Sequence, residues 1–205
     1  MASEGERETR EFALLRRRPG VAREAFVARW RASSAASLRN VVDPAPPTAF
    51  PPPAFDGIEI STQARSAGLL ADILDQEATT LVRARAFPVI DRGLGPVKFM
   101  SLLRRREGTT PEAFSEYWFR RHAPLVESVV EVSKHFRGYV QNHCVPGTRI
   151  GGSPVDGIVE IWFDSIDDLQ AAMFSTNYLG ELRADEERFV ALPNRRMLVA
   201  EERGD

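Results

Sequence analysis

Part of this chain occurs twice, and that repeat constrains its fold more than any other feature. Leu14, Leu15, Arg16, Arg17, Arg18, Gly20, Glu24, Ala25, Phe26 and Trp30 recur as Leu102, Leu103, Arg104, Arg105, Arg106, Gly108, Glu112, Ala113, Phe114 and Trp118. The shift is 88 residues throughout. Ten identities at one spacing read as a tandem duplication. The expected domains are residues 1–96 and 97–205. Each copy begins with an apolar run, a basic turn and an amphipathic helix.

The second copy is the complete one. Lys98–Leu103 is a short apolar run bounded by charge, which predicts a buried strand. Glu107 and Gly108 break it. Either Thr109 with Glu112 forms a capping box, or Thr110 caps a helix that opens on Pro111. Phe114, Trp118 and Leu125 share one helical face, with Tyr117 and Arg121 beside it. His122 follows Trp118 by four residues and joins that face. Pro124 disfavours helical geometry at Ala123, so His122 is expected at a helix end or kink. The helix continues to about Ser133, and strands are expected over 135–144 and 157–163. Asp164 or Ser165 caps a further helix, Ala184–Leu192 is a helical candidate, and Arg195–Glu202 is the closing strand. Strand, helix, strand, strand, helix, strand is the ferredoxin-like split unit.

The first copy diverges. Ser34 stands at the position of His122, and Ala36 at that of Pro124. Six prolines between Asp43 and Pro53 remove six backbone donors, which rules out a central strand there. Asp56-Gly57-Ile58 then matches Asp156-Gly157-Ile158 at a shift of 100, so twelve residues (100 minus 88) are missing. The first half is therefore expected to lack a normal second strand. A helix is predicted over 66–82, with Leu69, Leu70, Ile73, Leu74 and Leu81 on its apolar side. A short strand over 86–90 and a linker over 91–96 complete it.

With 43% hydrophobic residues in 205, the chain can bury a core. A net charge of −2 gives no electrostatic case for nucleic acid or an anionic membrane. The single cysteine, Cys144, cannot form an intrachain disulfide and fits a reducing compartment. The charged start lacks an apolar signal region, and no run is long enough to span a bilayer. A soluble cytoplasmic protein is expected. His122, His135 and His143 lack zinc spacings, and Gly151-Gly152 lacks a phosphate-loop fingerprint. No metal and no cofactor are expected.

The stretch L-x-R-R-x-G-T-x-x-E-x-F-x-x-Y-W-x-x-x-H-A-P-L, with Arg137–Asn142 and Asp156–Phe163, resembles the EthD family of the dimeric α/β-barrel superfamily. The resemblance covers roughly residues 97–202. It implies ferredoxin-like halves whose sheets pair, here within one chain as a pseudo-dimeric α/β barrel of α+β class, as monomer or homodimer. It implies a small hydrophobic or aromatic partner: an aromatic, lactone or polyketide-like molecule. Members include cofactor-free isomerases, decarboxylases and dehydratases, and oxygen-dependent catabolic proteins. The alternatives are a ligand-binding or accessory protein without catalysis, and an oxygenase.

His122 is the first catalytic candidate, since neutral imidazole can take or give a proton near neutral pH. Spacing alone favours a histidine bonded to its own helix end; the resemblance, in which this histidine faces the cavity, reverses that. Arg137, Tyr139, Gln141 and His143 alternate on one strand face, which lines either the barrel interior or solvent. Tyr139 there would donate to a carbonyl or phenolate. On the next strand Ile158, Glu160 and Trp162 should face the barrel, and Val159, Ile161 and Phe163 the helices. Glu160 is either an acid or base with a raised pKa or a partner of Lys98, Arg104 or Arg137. Tyr117, Arg121, Gln141, His143 and Trp162 complete the expected binding set. The arginine runs recur in the copy that lacks the histidine, which argues for a structural or solvated role rather than anion binding.

Overall fold

The computed structural model describes residues 8–33, 38–45, 53–61, 70–152 and 154–203. Its elements are β1 (Thr9–Leu15), α1 (Arg23–Ala32), β2 (Leu38–Val42), β3 (Gly57–Ser61), β4 (Thr80–Asp91), β5 (Val97–Leu103) and α2 (Pro111–Tyr117). A π-helical turn, Trp118–His122, leads into α3 (Ala123–Ser128) and α4 (Val130–Ser133). Then come β6 (Gly138–Cys144), β7 (Gly157–Phe163), α5 (Ile166–Met173), a second π-helical turn (Tyr178–Leu182), α6 (Arg183–Glu186) and β8 (Arg196–Arg203). Two compact units divide the chain: residues 1–85, 144–154 and 198–205, and residues 86–143 and 155–197.

In the first unit the antiparallel strand order is β4-β1-β3-β2-β8. Its core gathers Leu15, Phe26, Trp30, Leu70 and Leu74. Phe26 and Trp30, four apart on α1, stack at 5.7 Å. The Trp30 ring lies so close over Gly57 that a Cβ there would be 2.2 Å from it, so only glycine fits. The indole N–H donates to the buried Glu59 carboxylate at 3.0 Å.

Two expectations for this half meet a different structure. The predicted helix over 66–82 does not form where it is described: residues 70–73 and 76–78 are turns, Leu74 bridges to Arg17, and β4 starts at Thr80. Asp75 accepts from the backbone N–H of Glu77 and Ala78, a side-chain turn that competes with helix. Beyond it Thr80, Val82, Ala84 and Ala86 are buried while Arg83 and Arg85 are exposed, a period of two that outweighs the leucine-rich approach. The expected closing strand over 86–90 is thus the end of a twelve-residue strand. Where no normal second strand was expected, β2 supplies five residues before the prolines. Residues 46–52 and 62–69 lie outside the described residues.

In the second unit β5, β7 and β6 pair antiparallel in that order. Thr110 caps α2, its hydroxyl accepting from Ala113 N–H at 3.2 Å, with Pro111 at the first helical position. This decides between the two caps the sequence allows. The kink expected near His122 is the first π turn. Its wider bond runs from Ala123 N–H to the Trp118 carbonyl. Pro124 has no N–H to give the regular ladder, and widening the turn absorbs the misfit. Ser165 caps α5. Trp118 packs over Gly157, where a Cβ would be 2.5 Å from its ring. Arg105 pairs with Asp156, and in the first unit Arg17 pairs with Asp56 at 2.9 Å.

Candidate active site

The second unit holds a cavity between the helix-facing side of its sheet and its helices. Tyr139, Val159 and Ile161 form the sheet wall, and the helical wall includes Trp118, His122, Tyr178 and Leu182. Each π turn thus contributes its first and last residues. The enclosed space is about 30 Å³, room for one or two waters. Counting the space open to solvent, the pocket reaches about 440 Å³.

His122 is buried here, and its Nδ1 lies 2.9 Å from Asp185 Oδ2. An ionised carboxylate can only accept, so Nδ1 carries a proton, and in the neutral ring Nε2 is the nitrogen with the lone pair. The Tyr117 hydroxyl donates to the other oxygen, Oδ1, at 2.7 Å. His122 beside it holds the Asp185 carboxyl below the usual carboxylate range, against the opposing effect of burial. Burial, then the bond to Asp185, pushes the Tyr117 phenol up. The His122 ring rests against Phe189 at 5.2 Å.

A second polar group lines the same cavity. Arg195 Nη1 donates to Glu186 Oε2 at 2.6 Å and to the Tyr178 hydroxyl at 2.8 Å, and Nε donates to Ser101 Oγ at 2.8 Å. Burial opposes the guanidinium charge, but Glu186 and Tyr178 outweigh it and the Arg195 pKa rises. Burial pushes the Tyr178 phenol up to about 12 and raises Tyr139 as well. Both hydroxyls therefore stay protonated donors near neutrality.

The expected site residues divide between two faces of the sheet. Tyr139 pairs in register with Ile161, and Gln141 with Val159, so the Tyr139 row faces the helices. This corrects the expectation that it shares the barrel-facing side with Glu160; alternation along one strand does not fix its facing until the neighbour's register is known. Gln141 donates to the Tyr139 hydroxyl at 2.9 Å and to the Trp118 carbonyl at 3.1 Å. His143 lies between the rings of Trp118 and Phe87, at 4.5 and 4.1 Å. Glu160 and Trp162 are on the opposite face. There Glu160 pairs with the buried Lys98 at 2.6 Å and accepts from Asn142 at 2.8 Å, and Lys98 lies 4.5 Å over the Trp162 ring. Of the two readings of Glu160, the ion pair is the one formed. Arg121 is exposed. Ser34 lies outside the described residues.

Asp185, Tyr178, Glu186 and Arg195 escaped the sequence reading. They come from a π turn, a four-residue helix and the residue before β8. None repeats between the copies. A carboxylate pair, Asp185-Glu186, inside an otherwise helical stretch was the available signal.

Among the described residues no helix is long and apolar enough to cross a membrane, and no three His, Cys, Asp or Glu residues group as a metal site. No curated protein matches the sequence. Among solved structures, an anthrone oxidase-like protein matches 99% of this chain with 94% of its own, at 11% identity and TM-score 0.64. A mutant chlorite dismutase from Candidatus Nitrospira defluvii, in complex with cyanide, matches 95% of this chain with 90% of its own, at 10% identity and TM-score 0.52. These likenesses show a shared mixed α/β fold. An EthD family protein from Bacillus halodurans C-125 is 24% identical over 52% of this chain and 98% of its own, with TM-score 0.41. The EthD domain model matches residues 106–193, the stretch that carries α2, both π turns, His122 and Asp185. The second half of this chain carries an EthD domain.

Proposed function

We propose that this protein binds a small aromatic, lactone or polyketide-like compound at the His122 cavity and transforms it by cofactor-free proton transfer. The observation that carries this reading is the Asp185–His122 pair on the wall of a cavity. A histidine kept only for its helix end would bond backbone; this one is oriented by a carboxylate. Asp185 fixes the tautomer and stabilises the imidazolium once Nε2 has taken a proton. The base removes a proton from carbon next to a carbonyl, and Tyr139, whose hydroxyl accepts from Gln141, donates to the oxygen where charge develops. Return of the proton to another carbon gives isomerisation, and its delivery to a leaving hydroxyl gives dehydration. Glu160, held by Lys98 on the other face, has no part in these steps. The ten-residue repeat at a shift of 88 supports a duplication in which only the second copy carries the proposed site.

A second reading is a ligand-binding or accessory protein whose barrel is only a scaffold; the scaffold form is favoured by the small cavity volume of about 30 Å³. Solvent-deuterium exchange into a panel of cyclic ketones and lactones, followed by mass spectrometry, separates the two. Exchange that His122→Ala abolishes supports catalysis. Binding without exchange supports the accessory role. Oxygenation of the same substrate would show as oxygen uptake.

A further inference from the structure

We infer that the cavity selects a neutral oxygen-bearing ring, a cyclic ketone, lactone or phenol, over carboxylate analogues, and that Arg195 binds the substrate oxygen. This rests on placing the site at His122 and goes further by naming what enters it.

A charge count comes first. Arg195 and Glu186 both line the cavity, and at 2.6 Å they cancel. Asp185 and His122 sum to −1 with neutral imidazole and to zero with imidazolium. Arg188 approaches Asp185 only at 4.0 Å and is largely exposed, so solvent screens it. The site is therefore negative or neutral, never positive. A carboxylate entering it would be a buried charge without a counter-ion, which is strongly disfavoured. A carbonyl or phenol carries no such penalty.

A donor count says where the oxygen goes. A guanidinium has five N–H donors. Arg195 uses Nε on Ser101 and Nη1 on Tyr178 and Glu186. Nη2 has no hydrogen-bond partner among the described residues, yet it is not among the buried unsatisfied atoms. Arg195 is 8% exposed and lines the cavity, so that exposure includes Nη2. A donor at a cavity wall that gains an acceptor in the protein only when the right ligand enters discriminates between ligands. Glu186 leaves the guanidinium too neutralised to recruit an anion but still able to donate. Reactions on such substrates are enolisation, isomerisation and dehydration; loss of carbon dioxide from a carboxylate does not suit this site.

The test is calorimetric binding of phenol and of benzoate to the full chain at pH 7. Phenol is expected to bind at least about tenfold tighter. Glu186→Gln removes one negative charge and keeps an acceptor for Arg195. It should shift the phenol-to-benzoate ratio toward benzoate by at least about tenfold. Should that variant fail to fold, Asp185→Asn carries the same expectation. Equal or tighter benzoate binding by the unaltered protein would overturn the inference. So would an unchanged ratio in a folded charge variant, or failure of both ligands to bind at millimolar concentration. Full exchange activity in His122→Ala with the phenol preference intact would remove the proton-transfer reading and leave this one standing.

Discussion

The two tryptophans that end the repeated motif, Trp30 and Trp118, pack alike and serve unlike surroundings. Each lies over a glycine at the head of a strand, Gly57 or Gly157. Trp30 is buried in a hydrophobic core, its N–H committed to Glu59. Trp118 walls a cavity, with its carbonyl accepting from Gln141 and its ring on His143. The divergence follows from what comes next in the chain. After Trp30 the helix ends at Ala32. After Trp118 a π turn carries the backbone on to His122 and Pro124. One packing wedge thus serves a buried core in one half and a cavity wall in the other, and the proposed chemistry rests on the residues after it.

The largest effect that tests this contrast is on activity. His122→Ala should lower turnover by roughly 10²–10⁴, typical for a general acid or base, in a protein that still folds, with some loss of melting temperature as Asp185 loses its partner. Ser34→Ala, at the matching sequence position, should leave activity unchanged. Equal damage from both would erase the asymmetry. Next in size, Trp30→Ala and Trp118→Ala should each destabilise by about 3–5 kcal/mol in denaturant melts. Only the second should also abolish ligand binding.

All three tyrosines, Tyr117, Tyr139 and Tyr178, fall in the second half, so alkaline titration reports on it alone. The folded pKa of Tyr178, about 12, is above the ordinary 10.0. Its neutral form is favoured by folding, so its contribution is complete below pH 10 and is lost as pH rises from about 10 to 12. Two units correspond to roughly 3 kcal/mol. A phenolate absorbance rise complete by pH 10.5, before any unfolding, would contradict the burial. The smallest effects come from Gly57→Ala and Gly157→Ala. Both overpack a tryptophan, at about 1–3 kcal/mol each. Trp118 borders empty space and can shift, so Gly157→Ala should cost less stability than Gly57→Ala while weakening ligand binding.

Much of the second half was readable before any coordinates. The Lys98–Leu103 run, the Thr110–Pro111 start, the break at His122 and the strand at Gly157 are local signals, each set by neighbours within a few residues. The partners of His122 are not local. Asp185 is 63 residues away and comes to it only through the packing of α6. The facing of Tyr139 depended on its register with β7, a cross-strand fact that one strand's alternation cannot carry. The helix expected over 66–82 failed for the opposite reason. Its leucines suggested one period, while Asp75 and the alternation after Thr80 obeyed another.

Both π turns have a consequence for how such a site can change over time. A π turn is a helix with one residue too many, and here that surplus sets the angle at which His122 and Leu182 meet the cavity. Successive helical residues are about 100° apart. Losing a single codon between Trp118 and His122, Arg120 for instance, would swing the imidazole away from Asp185 without altering any residue of the site. Such a deletion should give a folded protein with an exposed histidine, visible in NMR as loss of the His122–Asp185 hydrogen bond. The His122–Asp185 alignment would then hang on a count of residues as much as on their identities.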